Sequence, residues 1–290
     1  MKIKFWQIGV LALIAFTATK VRKASADCVP DHTFTAGIEG PATDSYGNVY
    51  AVNYGVDGTI GVLRPDGSHG VFVKLPEGSI GNGIRFGKDG TMYVADYTQH
   101  NILKVDTASK EVSVFVNEPR MNQPNDIAMA PNGTIYASDP DWKNEKGQLW
   151  MITPNGGIEL LETDMGTTNG VEVSPDGKTL YVGESNQRKI WEYQINDKGI
   201  PEKKRLLISF PDCGLDGMRC DVEGNLYVTR YDKGSVVILS PDGLILDEIK
   251  LKGLKPSNIT FAGTDRMVCF VTMADRGCFE TFAALNPGRE

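Results

Sequence analysis

Histidine and cysteine are scarce in this sequence, and their scarcity excludes several kinds of catalytic centre. The 290 residues include 3 histidines and 5 cysteines. No cysteine stands in a CxxC pair or at a Cys/His spacing typical of a zinc site. No histidine is placed to activate a cysteine nucleophile. His69 and His100 lie in turn-like contexts, so we interpret them as surface residues.

Positive charge and helical periodicity are lacking as well. The chain has 30 Lys and Arg residues against 37 Asp and Glu residues, a formal net charge of −7. Nucleic-acid binding needs clustered basic residues, so a nucleic acid is not an expected partner. No window of about a dozen residues keeps a helical period outside the N-terminal leader. The sequence therefore predicts an all-β protein.

The N-terminus has the pattern of an export signal. A basic start is followed by an apolar run from Phe5 to Thr19, and Ala24-Ser25-Ala26 matches a signal-peptidase site. We predict a signal peptide over residues 1–26 and a single domain over 27–290, located in the periplasm or secreted. An uncleaved membrane anchor is the lesser alternative, because this run is shorter than the roughly 20 apolar residues that span a bilayer.

An oxidising compartment would permit disulfides, but the sequence does not decide their pairing. Cys213 and Cys220 flank one loop, and Cys269 and Cys278 flank a predicted hairpin turn. Either pair could form a bond. Because the count is odd, Cys28 or another cysteine is left over.

A repeat of 40 to 50 residues predicts the architecture. Short runs rich in Val, Ile, Tyr and Phe alternate with turns. A turn glycine recurs in five of the repeats, at positions 47, 90, 133, 177 and 224, and the sixth turn is at Asp265. Repeats of this length with four short strands are typical of propeller blades. Six repeats over residues 39–284 predict a six-bladed β-propeller, with His32-Thr33-Phe34-Thr35 supplying the strand that closes the ring.

A polar residue stands eight positions before each turn glycine. In a propeller this position precedes the innermost strand, so its side chains should form a ring at the channel mouth. An ordinary preference of Asn and Asp for turns is the competing interpretation, but Glu39 is a poor turn residue. The ring consists of Glu39, Asn82, Asn125, Asn169 and Asp216, with a weaker sixth copy at Ser257/Asn258.

The chemistry of this ring indicates a metal site in the central channel. Two carboxylates with carboxamide oxygens make an oxygen-only ligand set, which suits Ca²⁺, Mg²⁺ or Mn²⁺ better than Zn²⁺ or copper. A cation could polarise an ester carbonyl while a neighbouring carboxylate activates water. Metal-assisted hydrolysis is therefore the predicted reaction class.

The same residues resemble the gluconolactonase family, whose members include regucalcin and luciferin-regenerating enzyme. The motifs occur in the family's order, and the resemblance extends over about residues 35–275. It rests on Pro124-Asn125-Asp126-Ile127, Tyr136-Ala137-Ser138-Asp139-Pro140, Asn169-Gly170-Val171, Asp216-Gly217-Met218 and Pro256-Ser257-Asn258. It implies a six-bladed propeller that binds one divalent metal, often calcium, in its channel.

By this resemblance, Glu39, Asn169 and Asp216 would be the metal ligands, and Asp216 the general base. Asn125 would contact substrate or complete the metal sphere. Asp139 would be a channel-side carboxylate that contacts substrate or a second calcium. We assign Asn82, another member of the ring, to substrate binding.

The function that follows is a metal-dependent lactonase acting on a sugar lactone or another small lactone. Ca²⁺ is the expected ion, with Mg²⁺, Mn²⁺ and Zn²⁺ as alternatives. A hydrolase of organophosphates or other esters could use the same site. A third possibility, from another class, is an exported propeller that binds calcium or a ligand without catalysis.

Overall fold

Six four-stranded antiparallel sheets make up nearly all of the regular secondary structure in the part of the chain that the structure describes. The computed structural model describes residues 25–289. In five of the sheets, the four strands are adjacent in the order in which they occur along the chain. The sheets surround a central channel, which is the arrangement of a six-bladed β-propeller. The predicted all-β fold and blade number are confirmed.

The strands are numbered in chain order, and those of each blade are given from the channel outward. Blades 1 to 3 contain β2 (Ala42–Thr43), β3 (Val49–Val52), β4 (Thr59–Leu63), β5 (His69–Lys74), β6 (Gly81–Phe86), β7 (Met92–Asp96), β8 (Asn101–Val105), β9 (Val112–Asn117), β10 (Ile127–Met129), β11 (Ile135–Asp141), β12 (Lys146–Ile152) and β13 (Ile158–Met165). Blades 4 and 5 contain β14 (Thr168–Val173), β15 (Thr179–Glu184), β16 (Lys189–Ile195), β17 (Pro201–Ser209), β18 (Met218–Cys220), β19 (Leu226–Arg230), β20 (Ser235–Leu239) and β21 (Ile245–Lys250). Blade 6 contains β22 (Pro256–Ala262), β23 (Val268–Met273), β24 (Cys278–Ala283) and β1 (Ala26–Asp27).

Tight turns join the strands because glycine occupies the positions that need a left-handed backbone. Gly47, Gly90 and Gly133 have φ angles of 81°, 82° and 86°, which side chains disfavour. Each precedes the second strand of its blade. The repeat of turn glycines therefore marks the same hairpin in successive blades.

Apolar side chains fill the space between neighbouring blades. One cluster joins Ile102 and Val116 of blade 2 to Ile127 and Trp150 of blade 3, and all four are buried. Strands β8 and β10, which carry Ile102 and Ile127, are buried on both faces, which explains their short continuous apolar runs. Val116, on the outer strand β9, is the buried residue of a strand that is otherwise exposed or half-buried. The core is thus a series of layers between blades, and the channel is left to polar residues.

The N-terminal segment closes the ring, but at a different place from the one predicted. Ala26 and Asp27 pair with Thr281 and Glu280 of β24, so β1 is the outermost strand of blade 6. Phe34, in the segment expected to close the ring, forms an isolated bridge with Tyr54 of blade 1. The prediction of His32–Thr35 as the closing strand is wrong because Phe34 serves as an anchor. Its ring packs edge-on against Tyr54 and Phe279, between the first and last blades.

Most of the predicted leader lies outside the described residues. Ser25 and Ala26 are the exceptions, and the Ser25 hydroxyl donates a hydrogen bond to Oε2 of Glu280 over 2.7 Å. Within residues 25–289, no helix is long and apolar enough to cross a membrane.

Within residues 25–289, the five cysteines form no disulfide, so neither suggested bond is present. Cys269 and Cys278 do lie in adjacent strands, but Cys278 is opposite Met273 and Cys269 is opposite Phe282. Four residues of strand separate the two ladder positions, which corresponds to about 13 Å. A disulfide needs Cα atoms within about 7 Å.

Candidate functional site

The polar ring predicted from the repeats borders a single cavity at one end of the channel. The cavity has a volume of about 780 Å³. Its wall includes one ring residue from each blade, and these are Glu39, Asn82, Asn125, Asn169, Asp216 and Ser257. The structure thus brings together side chains that are as much as 218 residues apart in the sequence, between Glu39 and Ser257.

Glycine follows the ring residue in four of the six blades because neighbouring inner strands come very close there. A Cβ atom on Gly40 would collide with the carbonyl oxygen of Asn82, and one on Gly170 would collide with that of Asp216. Only glycine lets the backbone of one blade touch the ring residue of the next. The motif of polar residue plus glycine is therefore a packing requirement of the channel.

Three carboxamide oxygens face the cavity without a partner. Oδ1 atoms of Asn82, Asn125 and Asn169 are buried and accept no hydrogen bond. The other side of the Asn169 carboxamide is fixed, since its Nδ2 donates to the Ser185 hydroxyl over 3.0 Å. A buried acceptor without a donor is costly. Three of them around one cavity fit a bound cation, which prefers neutral and charged oxygen ligands.

Two acidic side chains complete this oxygen-lined wall. Burial raises the pKa of Glu39 to about 7, and the negative charge of Asp126 adds to the shift. Burial also raises the pKa of Asp216 well above its usual range, with the charge of Glu39 as the next cause. Both shifts arise because the acids are crowded in a dry site. A cation between them would stabilise both carboxylates.

Ordinary protein donors hold Glu39 in place. The Nδ2 atom of Asn258 donates to its Oε2 over 3.0 Å, and the backbone N–H of Gly40 donates to the same oxygen. Glu39 is thus oriented by the first and last blades together.

Carboxylates alone do not make this site. Among residues 25–289, no group of three or more His, Cys, Asp or Glu side chains could hold a metal ion. Any ion here would bind Glu39 and Asp216 together with carboxamide oxygens. That donor set is hard and oxygen-only, as the sequence predicts, and suits calcium or magnesium.

Asp139 does not line this cavity, and its contact with substrate stays a prediction. Its side chain is completely buried and accepts hydrogen bonds from the backbone N–H groups of Asn122 and Gln123, at 2.8 Å and 2.7 Å. The indole N–H of Trp150 is a further donor, at 3.0 Å. These protein donors already satisfy the hydrogen-bonding capacity of the Asp139 carboxylate. It anchors the loop that leads to Asn125.

The residues of the cavity rim lie outside the repeated motif. The wall also includes four residues from segments between strands, which are Tyr97, Arg188, Tyr231 and Trp142, the last in a short 3₁₀ helix. These segments differ from blade to blade, so no periodic signal marks them. Burial, followed by the charge of Asp216, raises the pKa of Tyr231 to about 12. Tyr231 is therefore a hydroxyl donor at neutral pH.

Comparison with known proteins identifies the family. A sequence profile described as "SMP-30/Gluconolactonase/LRE-like region" matches residues 27–275. The chain belongs to this family. The suspected resemblance to gluconolactonase and regucalcin is confirmed.

The relatives of this family member include sugar lactonases. A gluconolactonase of Zymomonas mobilis is 31% identical over 244 residues, which cover 71% of this chain and 67% of the relative. A 6-deoxy-6-sulfogluconolactonase of Pseudomonas putida is 30% identical over 129 residues, covering 43% of this chain and 44% of the relative. The chain spans about half the length of several further curated relatives. Together these relatives support a lactone hydrolase.

Solved structures agree on the fold of this family member. A calcium-binding regucalcin from Agrobacterium tumefaciens has a TM-score of 0.79 at 22% identity, covering 92% of this chain and 95% of that one. A gluconolactonase from Xanthomonas campestris has a TM-score of 0.76 at 23% identity, covering 89% and 88% of the two chains. At these identities the likeness concerns the propeller.

Proposed function

We propose that this protein is a metal-dependent lactonase that opens a sugar lactone or another small lactone. One observation carries the proposal. Three unpartnered carboxamide oxygens and two crowded carboxylates border the same cavity. The lactonases among the relatives supply the reaction class.

Glu39, Asn169 and Asp216 are the residues that would hold the metal, with Asn125 as a further ligand or a substrate contact. Calcium is the ion that this oxygen-only set suits best. A divalent cation bound there would polarise the lactone carbonyl as a Lewis acid. The regucalcin with the same fold is described as calcium-binding.

Asp216 is the side chain that we assign as general base. In its carboxylate form it would take a proton from a water molecule as the water oxygen adds to the lactone carbonyl carbon. The bond between that carbon and the ring oxygen then breaks, and the proton passes to the ring oxygen. Lactone and water become one hydroxy acid, and Asp216 returns to its starting form.

The rest of the cavity would bind the substrate. Asn82 offers a carboxamide on the wall, and Tyr231 offers a hydroxyl. Tyr97 and Trp142 present aromatic groups to the same space. A mostly preformed pocket with a few polar groups is typical of small-molecule sites, and a volume of about 780 Å³ admits a small lactone.

Export is part of the proposal. Cleavage of the predicted signal peptide would leave Asp27 as the first residue of a periplasmic or secreted enzyme. N-terminal sequencing of the protein from its native compartment tests this. A mature chain that begins at Asp27 supports export, and retention of Met1 in a soluble fraction contradicts it.

Activity measurements at matched metal concentrations test the enzymatic proposal. Protein stripped with a chelator is reloaded with Ca²⁺, Mg²⁺, Mn²⁺ or Zn²⁺ and offered gluconolactone, pentonolactones and aryl esters. We expect lactone hydrolysis only with metal, and Asp216→Asn should lower kcat/KM by a factor on the order of 10²–10⁴. Asp242→Asn, in an exposed outer turn of the same blade, is the matched control and should retain activity.

The outcomes separate the competing functions. Hydrolysis of aryl esters or organophosphates without any lactone would favour the ester hydrolase. A metal that stabilises the protein while no substrate turns over would favour the binding propeller. Full activity of Asp216→Asn would exclude Asp216 as the base.

A further inference from the structure

Buried charges fill the channel directly beneath the polar ring. Asp126 lies between two arginines: its Oδ1 is 3.3 Å from Nη1 of Arg85, and its Oδ2 is 3.6 Å from Nη1 of Arg219. The three side chains are at most 3% exposed. Solvent ions do not reach such groups, so their charges are poorly screened.

The sequence position of these residues explains why they meet. Asp126 directly follows a ring residue, where four other blades have glycine, and Asn258 does the same in the opposite blade. Because Gly83 has no side chain, it leaves room for Asp126: a Cβ atom there would lie 2.6 Å from Oδ1 of Asp126. Arg85 and Arg219 stand three residues after their ring residues, also in opposite blades.

Asn258 connects these charges to the proposed metal site. Its Nδ2 donates to Glu39 over 3.0 Å and lies 3.5 Å from Oδ2 of Asp126. Its Oδ1 accepts from Nη1 of Arg219 over 3.3 Å. One carboxamide thus contacts a proposed ligand, an anion and a cation.

The charges continue to the opposite end of the channel. Glu172 lies 3.4 Å from Nη2 of Arg85 and 3.0 Å from Nη2 of Arg289. Arg289 reaches Glu172 from the C-terminal segment, and its Nη2 also donates to the carbonyl of Met129 over 3.0 Å. We name Arg85, Asp126, Glu172, Arg219 and Arg289 the ion column. Its three cations and two anions leave one net positive charge.

A contribution to folding stability does not by itself explain why five charged side chains are buried in the ion column. Removing several charges from water is expensive, and well-packed apolar side chains in their place are often equally stable or more stable. In a low-dielectric channel, however, these charges act strongly on any ion a few ångströms above them. The arrangement therefore makes more sense as a source of electrostatic potential than as a source of folding energy.

We propose that the ion column tunes the affinity of the proposed metal site, with Asp126 and Arg219 as positioning residues of opposite effect. Asp126 increases cation affinity through its charge, and Arg219 decreases it. The column's net positive charge keeps cation binding reversible against two carboxylates in the ring. This inference rests on the proposed function, because it requires that the ring binds a cation.

A double-mutant cycle on Asp126 and Arg219 tests the proposal. Calcium affinity is measured for each variant by calorimetric titration of the metal-free protein. Asp126→Asn should weaken binding on the order of tenfold or more, and Arg219→Gln should tighten it by a similar factor. The double variant Asp126→Asn/Arg219→Gln restores the net charge and should bind within a few-fold of the parent protein. These differences should persist in concentrated salt, because the charges are buried. Lys178→Gln, at an exposed turn, should leave the affinity unchanged.

Opposite changes in calcium affinity for Asp126→Asn and Arg219→Gln distinguish this electrostatic role from a purely structural one. If the column only supported the fold, both single variants would weaken binding and the double variant would bind worst, which would overturn the proposal. If Asp126→Asn does not fold, Arg219→Gln and Arg289→Gln carry the test. Both should tighten binding, Arg289→Gln by less, and weakening by both would overturn the proposal. Parent protein that binds no divalent cation would refute the proposed function and this inference with it.

Discussion

Asn258 in the last blade donates a hydrogen bond to Glu39, which precedes the first blade, over 3.0 Å and across 219 residues of sequence. This contact joins the two ends of the propeller at the proposed metal site. The geometry of the site is therefore coupled to closure of the ring. Loss of the hydrogen bond between Asn258 and Glu39 should therefore lower both the stability of the fold and the affinity for a cation.

Asn258→Ala should reduce both properties. The substitution removes the side-chain donor to Glu39 and leaves buried polar groups with fewer partners, which costs about 2 kcal/mol of unfolding free energy. Calcium affinity should fall because Glu39 is no longer held toward the cavity. Denaturant unfolding and calcium titration measure the two effects. Unchanged calcium affinity would show that Glu39 needs no support from Asn258.

Calcium should stabilise the folded protein, and Asn169→Ala should abolish that gain. Ligand at 100 times its Kd adds about 2.7 kcal/mol to the unfolding free energy. The Asn169 Oδ1 atom has no hydrogen-bond partner of its own, so the metal-free variant should lose less stability than the metal-loaded one. Thermal melts with and without calcium decide this. An equal calcium shift in the variant would exclude Asn169 as a ligand.

Asp139→Ala should destabilise the protein strongly and impair activity indirectly. The carboxylate accepts from two backbone N–H groups and from the Trp150 indole, all of them buried or half-buried. We expect a loss of about 3 kcal/mol of unfolding free energy. Asp141→Asn, at a partly exposed site two residues on, is the control. A stable but inactive Asp139→Ala would instead favour direct substrate contact.

Trp142→Ala should raise KM while kcat changes little. Trp142 borders the cavity from the short 3₁₀ helix Trp142–Asn144. It is not one of the proposed metal ligands or the proposed base, so we expect its contacts to be made equally in the ground and transition states. Loss of such uniform binding appears in KM. Steady-state kinetics with a good lactone substrate measures the change, which we expect to be on the order of tenfold. A fall in kcat alone would contradict this assignment.

Asp27 should stabilise the closing strand at neutral pH but not in strong acid. Hydrogen bonds from Arg276 and then Lys252 lower the pKa of Asp27 to about 2. Its contribution is complete above the ordinary pKa near 3.8 and is lost as the pH falls through about 2. Asp27→Asn should lower the unfolding free energy at pH 7 by at most about 1 kcal/mol, because the pair is partly exposed.

Melts of both proteins between pH 7 and pH 2 check this sign. The difference between Asp27→Asn and the parent protein should shrink toward pH 2. Asp197→Asn, in an exposed turn, should show no such convergence. A difference that is constant with pH would mean that the ion pairs of Asp27 do not stabilise the closure.

The sequence alone was sufficient to predict the six blades and the polar ring at the channel mouth. The turn glycines recur because each hairpin needs a left-handed backbone at the same point, as at Gly47 and Gly133. The offset of eight residues from ring residue to turn glycine recurs because it spans the innermost strand of each blade and the residues that lead into and out of that strand. Such features are local and repeated, so the repeat pattern by itself places Glu39, Asn169 and Asp216 on one wall.

Only the tertiary structure shows which buried residues lie beneath the polar ring. Asp126 and Asn258 meet across the channel because their blades are opposite, a relationship that no local pattern contains. Asp139 does not line the cavity, and its carboxylate accepts hydrogen bonds from the backbone N–H groups of Asn122 and Gln123. The closing strand is Ala26–Asp27 because Phe34 is buried as an anchor. Local propensity determines strands and turns, whereas contacts between distant residues depend on which blades face each other.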